Sequence, residues 1–106
     1  MKSLKIVAIT ACITGVAHTY MAEANLKKYA KKKGCLIKVE TQGAMGIENR
    51  LLQQDVDEAD AVIFAVDTSV VDKERFEKKK IIEVGTSDVI KNGEAIFDRV
   101  LNIVGG

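Results

Sequence analysis

The stretch Ile6-Val7-Ala8-Ile9-Thr10-Ala11-Cys12-Ile13-Thr14-Gly15-Val16-Ala17-His18-Thr19 decides the fold. It opens on a continuous apolar run, the mark of a strand buried on both faces, and leads into an Ala- and Lys-rich segment of helical composition. The stretch therefore reads as strand, turn and helix start. A thiol on such a turn lies above the carboxyl edge of a parallel sheet and beside the first N–H groups of a helix, where the macrodipole is equivalent to about half a positive charge. That position favours thiolate over thiol. Gly15 permits a positive φ, and Thr10, Thr14 and Thr19 add hydroxyls, so several donors can converge on one anion next to the sulfur. Cys12 is the candidate nucleophile and a phosphoryl group its candidate substrate. The competing reading is a small buried hydrophobe, the commonest state of a free cysteine.

Outward from this stretch, the spacing predicts a helix over residues 16–33 with two apolar sets, Ala17/Tyr20/Met21/Ala24 and Ala22/Leu26/Tyr29/Ala30, ended by Gly34 at C′. Leu36 to Thr41 alternates Ile37 and Val39 with Lys38 and Glu40, which predicts an edge strand with one face in solvent. A turn-rich loop, Gln42-Gly43-Ala44-Met45-Gly46, and a short helix over residues 47–53 follow. Ala61 to Val66 is wholly apolar and reads as a central strand, closed by Asp67-Thr68-Ser69. Ile81 to Val84 contains Glu83 and is placed at the other edge. Thr86 or Ser87 can cap a helical turn, and Asn92 can start a last helix that buries Ile96, Phe97, Val100, Leu101 and Val104.

This alternation predicts a Rossmann-like α/β fold in three layers, α/β/α, with a four-stranded parallel sheet in the order 2-1-3-4. Residues 1–106 form one domain. The order reverses between the first and third strands, and ligands bind at such a switch point, where Cys12 lies.

Composition narrows the function. Lys+Arg 16 against Asp+Glu 15 leaves a net charge of +1, which gives no electrostatic case for a nucleic-acid partner. Lys27, Lys28, Lys31, Lys32 and Lys33 end the first helix, where cations suit the dipole, and are read as a solvated terminus in preference to a docking patch. Two cysteines, Cys12 and Cys35, make no disulfide framework and are read as free thiols in a reducing cytoplasm, with Cys35 structural. Lys2 and Lys5 ahead of the uncharged run Ile6 to Ala22 mimic a leader, but Thr10, Thr14, Gly15 and His18 interrupt it, and it is too short and polar to span a bilayer. With His18 the only histidine and no Cys-x-x-Cys pair, no metal site is expected, and without a Gly-rich fingerprint or Walker pattern no nucleotide cofactor either.

Two phosphate chemistries remain. A small cysteine-dependent phosphatase with the loop Cys-x5-Arg would need Arg where this chain has His18, and its Asp-Pro acid cannot occur in a chain without Pro. A phosphoryl carrier needs to stabilise thiophosphate without activating water, and the loop suits that better. Thr14, Gly15, Val16 and Ala17 are candidate main-chain donors to the phosphate; Thr14 serves equally as a helix cap. His18 at a helix start is biased towards neutral and is read as orienting the loop.

Ala11-Cys12-Ile13-Thr14-Gly15-Val16-Ala17-His18-Thr19 with Met21-Ala22 resembles the active-site loop of the fructose-specific enzyme IIB family of the bacterial phosphoenolpyruvate-dependent sugar phosphotransferase system. The likeness continues through Lys38-Val39-Glu40-Thr41-Gln42-Gly43, Ala59-Asp60-Ala61-Val62-Ile63 with Ala65 and Asp67, and Arg75-Phe76, and so covers nearly the whole chain. The resemblance implies that Cys12 is a phosphocysteine, charged by a histidine of enzyme IIA and discharged to fructose held in the membrane protein enzyme IIC. It implies a cytoplasmic protein, not itself membrane-spanning, at the inner face of the membrane through enzyme IIC. Ile13 through Thr19 are then phosphate-binding, and Gln42 and Gly43 either border a sugar-facing rim or form a plain turn. Two departures stand out: Ile13 replaces the family's Pro, which frees an N–H and loosens φ, and Glu77-Lys78-Lys79 replaces a Gly-Lys.

Overall fold

A computed structural model describes residues 4–11, 16–43, 46–71, 73–77 and 79–105; the side chains of residues 16–18, 43, 104 and 105 are excepted. In chain order the elements are β1 (Lys5–Ala11), α1 (Val16–Lys32), β2 (Leu36–Gly43), β3 (Gly46–Glu48), α2 (Gln53–Glu58), β4 (Ala61–Val66), a 3₁₀ turn (Lys73–Phe76), β5 (Ile81–Val84) and α3 (Thr86–Gly105). The strand order is β3-β2-β1-β4-β5. β1 runs parallel to β2 and β4, with Ala8 opposite both Val39 and Ile63, and β4 runs parallel to β5.

The three-layer α/β fold and the order of the four parallel strands agree with the expectation. The sheet adds a strand that the pattern missed. Where a helix was expected over residues 47–53, β3 pairs antiparallel with the end of β2, Gln42 opposite Ile47. The backbone explains the difference: Gly46 (φ 96°) and Asn49 (φ 54°) both lie in the left-handed region, which a right-handed helix cannot pass through. The helix starts later, with Leu52 extended and its N–H donated to the Asp55 carboxylate at 3.0 Å.

The alternating faces of β1 and β4 feed two cores. Ile6, Ala8, Ile63 and Ala65 meet Ala22, Leu26 and Ala30 of α1 and Val89, Phe97 and Val100 of α3. Val7, Ile9, Val62 and Phe64 meet Leu51, Val56 and Phe76 on the other side, where the Phe64 and Phe76 rings sit edge to face with centroids 5.1 Å apart. α1 ends as predicted: Gly34 takes φ 73°, Gly34 N–H bonds to Lys31 O and Cys35 N–H to Ala30 O, which is a Schellman motif.

The expected break at Asn92 is a kink within one helix (φ −132°, ψ 36°). It frees carbonyls one turn back, and the Asn25 amide of α1 donates to two of them, Val89 O and Ile90 O. The lysines at the end of α1 partly turn to α3: Lys32 pairs with Glu94, and Lys33 with Asp98 at 2.8 Å.

Candidate functional site

β1 stops at Ala11 and α1 begins at Val16, so residues 12–15 join the carboxyl end of a central strand to a helix N-terminus where the sheet order reverses. Cys12, Ile13, Thr14 and Gly15 lie outside the described residues, as do the side chains of Val16, Ala17 and His18. The frame around them is defined. α1 carries no acidic residue in its first turn, so nothing within that turn offsets the positive end of its dipole. Ala11 O accepts Asp67 N–H at 2.8 Å, which fixes the end of β1 to the segment after β4.

Thr19 heads the buried stripe Thr19, Ala22, Leu26 and Ala30 along α1. By strand alternation, the side chains of Thr10 and Thr41, register partners on β1 and β2, stand on the same face of the sheet that α1 covers. All three hydroxyls are buried, and none has a hydrogen-bond partner among the described residues.

On the opposite face Glu40, expected in solvent, is fully buried. A partner distant in sequence explains this. Arg75 spans the carboxylate with Nη1 to Oε1 at 2.8 Å and Nη2 to Oε2 at 3.0 Å. Glu40 Oε1 also accepts Leu51 N–H at 2.8 Å, and Oε2 accepts the Gln42 amide at 2.6 Å. Arg75 donates onward to Leu51 O and Val71 O. Burial alone would raise the Glu40 carboxyl, but the guanidinium, the Gln42 amide and the Leu51 N–H outweigh it and hold the group below its ordinary range. Sequence reasoning missed this hub, because nothing local ties Glu40 to Arg75.

Gln42 is buried rather than open on a rim. Its Oε1 accepts Val71 N–H at 2.8 Å and its Nε2 donates to Val71 O at 3.1 Å. Asp67 caps α3: Oδ1 accepts Thr86 N–H at 3.2 Å and Oδ2 accepts the Thr86 hydroxyl. Beside it a polar cleft of about 720 Å³ opens between the ends of β4 and β5, lined by Thr68, Ser69, Lys73 and Asp88 among others. Tyr20, on α1, donates its hydroxyl to Glu48, which pins β3 to the helix start. Cys35 sits at the far, amino edge, and burial pushes its thiol up. Among the described residues no cluster of three His, Cys, Asp or Glu could hold a metal ion, and no helix is long and apolar enough to cross a membrane.

The family model for the IIB subunit of the phosphotransferase system (PTS), lactose/cellobiose specific, matches residues 7–99. The chain belongs to the PTS IIB family. It is 49% identical over 96 residues to the PTS system fructose-like EIIB component 2 of Escherichia coli K12, with 91% of each chain covered. To the fructose-like EIIB component 1 of the same strain it is 41% identical over 102 residues, covering 96% of this chain and 94% of that one. Among solved structures, a domain of the fructose-specific IIABC component of Borrelia burgdorferi superposes with a TM-score of 0.90 at 48% identity, over 95% of this chain and 96% of that one. The enzyme IIB subunit from Escherichia coli K12 gives 0.91 at 40% identity, over 98% and 96%. The resemblance to fructose-type IIB proteins is thus met over most of the chain, and the chain is a fructose-like IIB component in sugar phosphotransfer.

Proposed function

We propose that Cys12 is the phosphoryl carrier of this IIB domain, charged by the phosphohistidine of an enzyme IIA and discharged to fructose or a related sugar held by the membrane enzyme IIC. The observation that carries the reading is the position of residue 12, between the switch-point end of β1 and the acid-free first turn of α1. In the first step the Cys12 thiolate attacks phosphorus: an S–P bond forms, the N–P bond breaks and the histidine nitrogen keeps the electron pair. In the second the sugar oxygen attacks, an O–P bond forms, the S–P bond breaks, and the hydroxyl proton passes to a base of the sugar-holding protein or to water. Main-chain N–H groups of residues 13–17 and the hydroxyls of Thr14 and Thr19 hold the phosphoryl oxygens, with His18 orienting the loop. The protein works on the cytoplasmic side, meeting the membrane through enzyme IIC.

A phosphatase would need a general acid and activated water, each proton transfer typically worth 10²- to 10⁴-fold in rate. Given phosphoenolpyruvate, the general phosphotransferase proteins and a fructose-type enzyme IIA, the chain is expected to accumulate one phosphoryl group and to turn over aryl phosphates barely at all. Rapid aryl-phosphate hydrolysis with no labelling from enzyme IIA would replace the carrier reading with the phosphatase one.

A further inference from the structure

We propose that Gln42 is a positioning residue for phosphoryl transfer: set by the buried Glu40–Arg75 pair, its amide clamps residues 67–71 against the carboxyl end of β2. The inference rests on the carrier reading and differs from a sugar-facing role for Gln42. Both ends of the amide are already committed, Oε1 to Val71 N–H and Nε2 to Val71 O and Glu40. An amide so engaged in a buried position has little left to offer a substrate.

Stability alone does not account for the pair behind it. Burying a carboxylate completely is costly even with a guanidinium beside it, and well-packed apolar residues commonly do as well or better. A bidentate pair fixes direction, and here the pair also engages Leu51 N–H and O, Val71 O and, through Gln42, Val71 N–H. The clamped segment begins at Asp67, whose N–H is bonded to Ala11 O, one residue before Cys12. Ile47, opposite Gln42 in the ladder, and Val71 are both exposed, at 38% and 53%. The clamp therefore sets the spacing of two exposed apolar side chains beside the end of β2, a surface that fits the phosphohistidine donor protein rather than a sugar.

The test measures phosphoryl transfer from phosphorylated fructose-type enzyme IIA to wild type, Gln42→Met and Arg75→Lys. In both variants KM for the donor is expected to rise roughly tenfold with kcat within about twofold, as for lost ground-state docking. The Arg75 side chain is only 10% exposed, so a shared phenotype cannot come from direct contact with the donor. Alkylation of Cys12 against pH is expected to be unchanged in Gln42→Met. Should Arg75→Lys fail to fold, Gln42→Met and Gln42→Ala carry the test, since both leave the ion pair in place. No labelling of wild type would remove the carrier reading itself. Labelled wild type with an unaltered KM in Gln42→Met would overturn this inference alone, as would a defect confined to sugar phosphorylation or a shifted alkylation profile.

Discussion

At the scale of single residues, the two cysteines are expected to carry opposite chemistry, because they flank opposite ends of α1. Residue 12 precedes an acid-free helix start, whereas Cys35 follows the C-terminal Schellman turn and is buried. Burial disfavours the charged form, so the Cys35 thiol is pushed up. Alkylation followed against pH should thus give, in Cys35→Ser, a fast thiol with a midpoint below the free value of about 8.5, and in Cys12→Ser only a slow one above it. A fast thiolate surviving in Cys12→Ser would show that the wrong cysteine has been assigned. The proposal for Cys12 rests on local evidence: an apolar strand before it, Gly15 and three threonines around it, a helix after it. Glu40 was misread for the converse reason. Two alternating residues placed it in solvent, and the guanidinium that makes its burial tolerable is 35 residues away.

At the scale of elements, the Glu40–Arg75 pair joins β2, the turn before α2 and the 3₁₀ turn, so its loss is felt in all three. Removing one partner of a buried pair leaves an uncompensated charge, and Arg75→Met is expected to lower stability by about 3 kcal/mol, much of it regained in Glu40→Met/Arg75→Met. The pH dependence follows from the lowered Glu40 carboxyl. A group whose folded value lies below its unfolded value of about 4.3 stabilises the fold above that pH and loses the contribution as pH falls through the folded value. Urea unfolding of wild type and double variant should show a stability difference that is constant from neutral pH down to the ordinary carboxylate range and shifts against wild type below it. A difference that stays flat into strong acid would mean that Glu40 is not held ionised. Elements with long uniform patterns, β1, β4 and α1, were legible. β3 was not, since its three residues depend on left-handed φ values at Gly46 and Asn49 that periodicity does not report.

At the scale of the whole molecule, the layers, the parallel order and the switch point all followed from alternating apolar runs, because a central strand cannot hide its composition. The buried hub follows from contacts distant in sequence, whereas the extra antiparallel strand follows from a local turn whose left-handed φ values periodicity does not report. Cys12 is the residue proposed to carry the phosphoryl group. The most direct measurement locates the phosphoryl group by fragmentation mass spectrometry after charging from enzyme IIA, then follows its fate when enzyme IIC and fructose are added. One phosphoryl group on Cys12, absent in Cys12→Ser and recovered as sugar phosphate, is the predicted result; a phosphoryl group on His18 or any other residue, or its release as inorganic phosphate regardless of sugar, would contradict it.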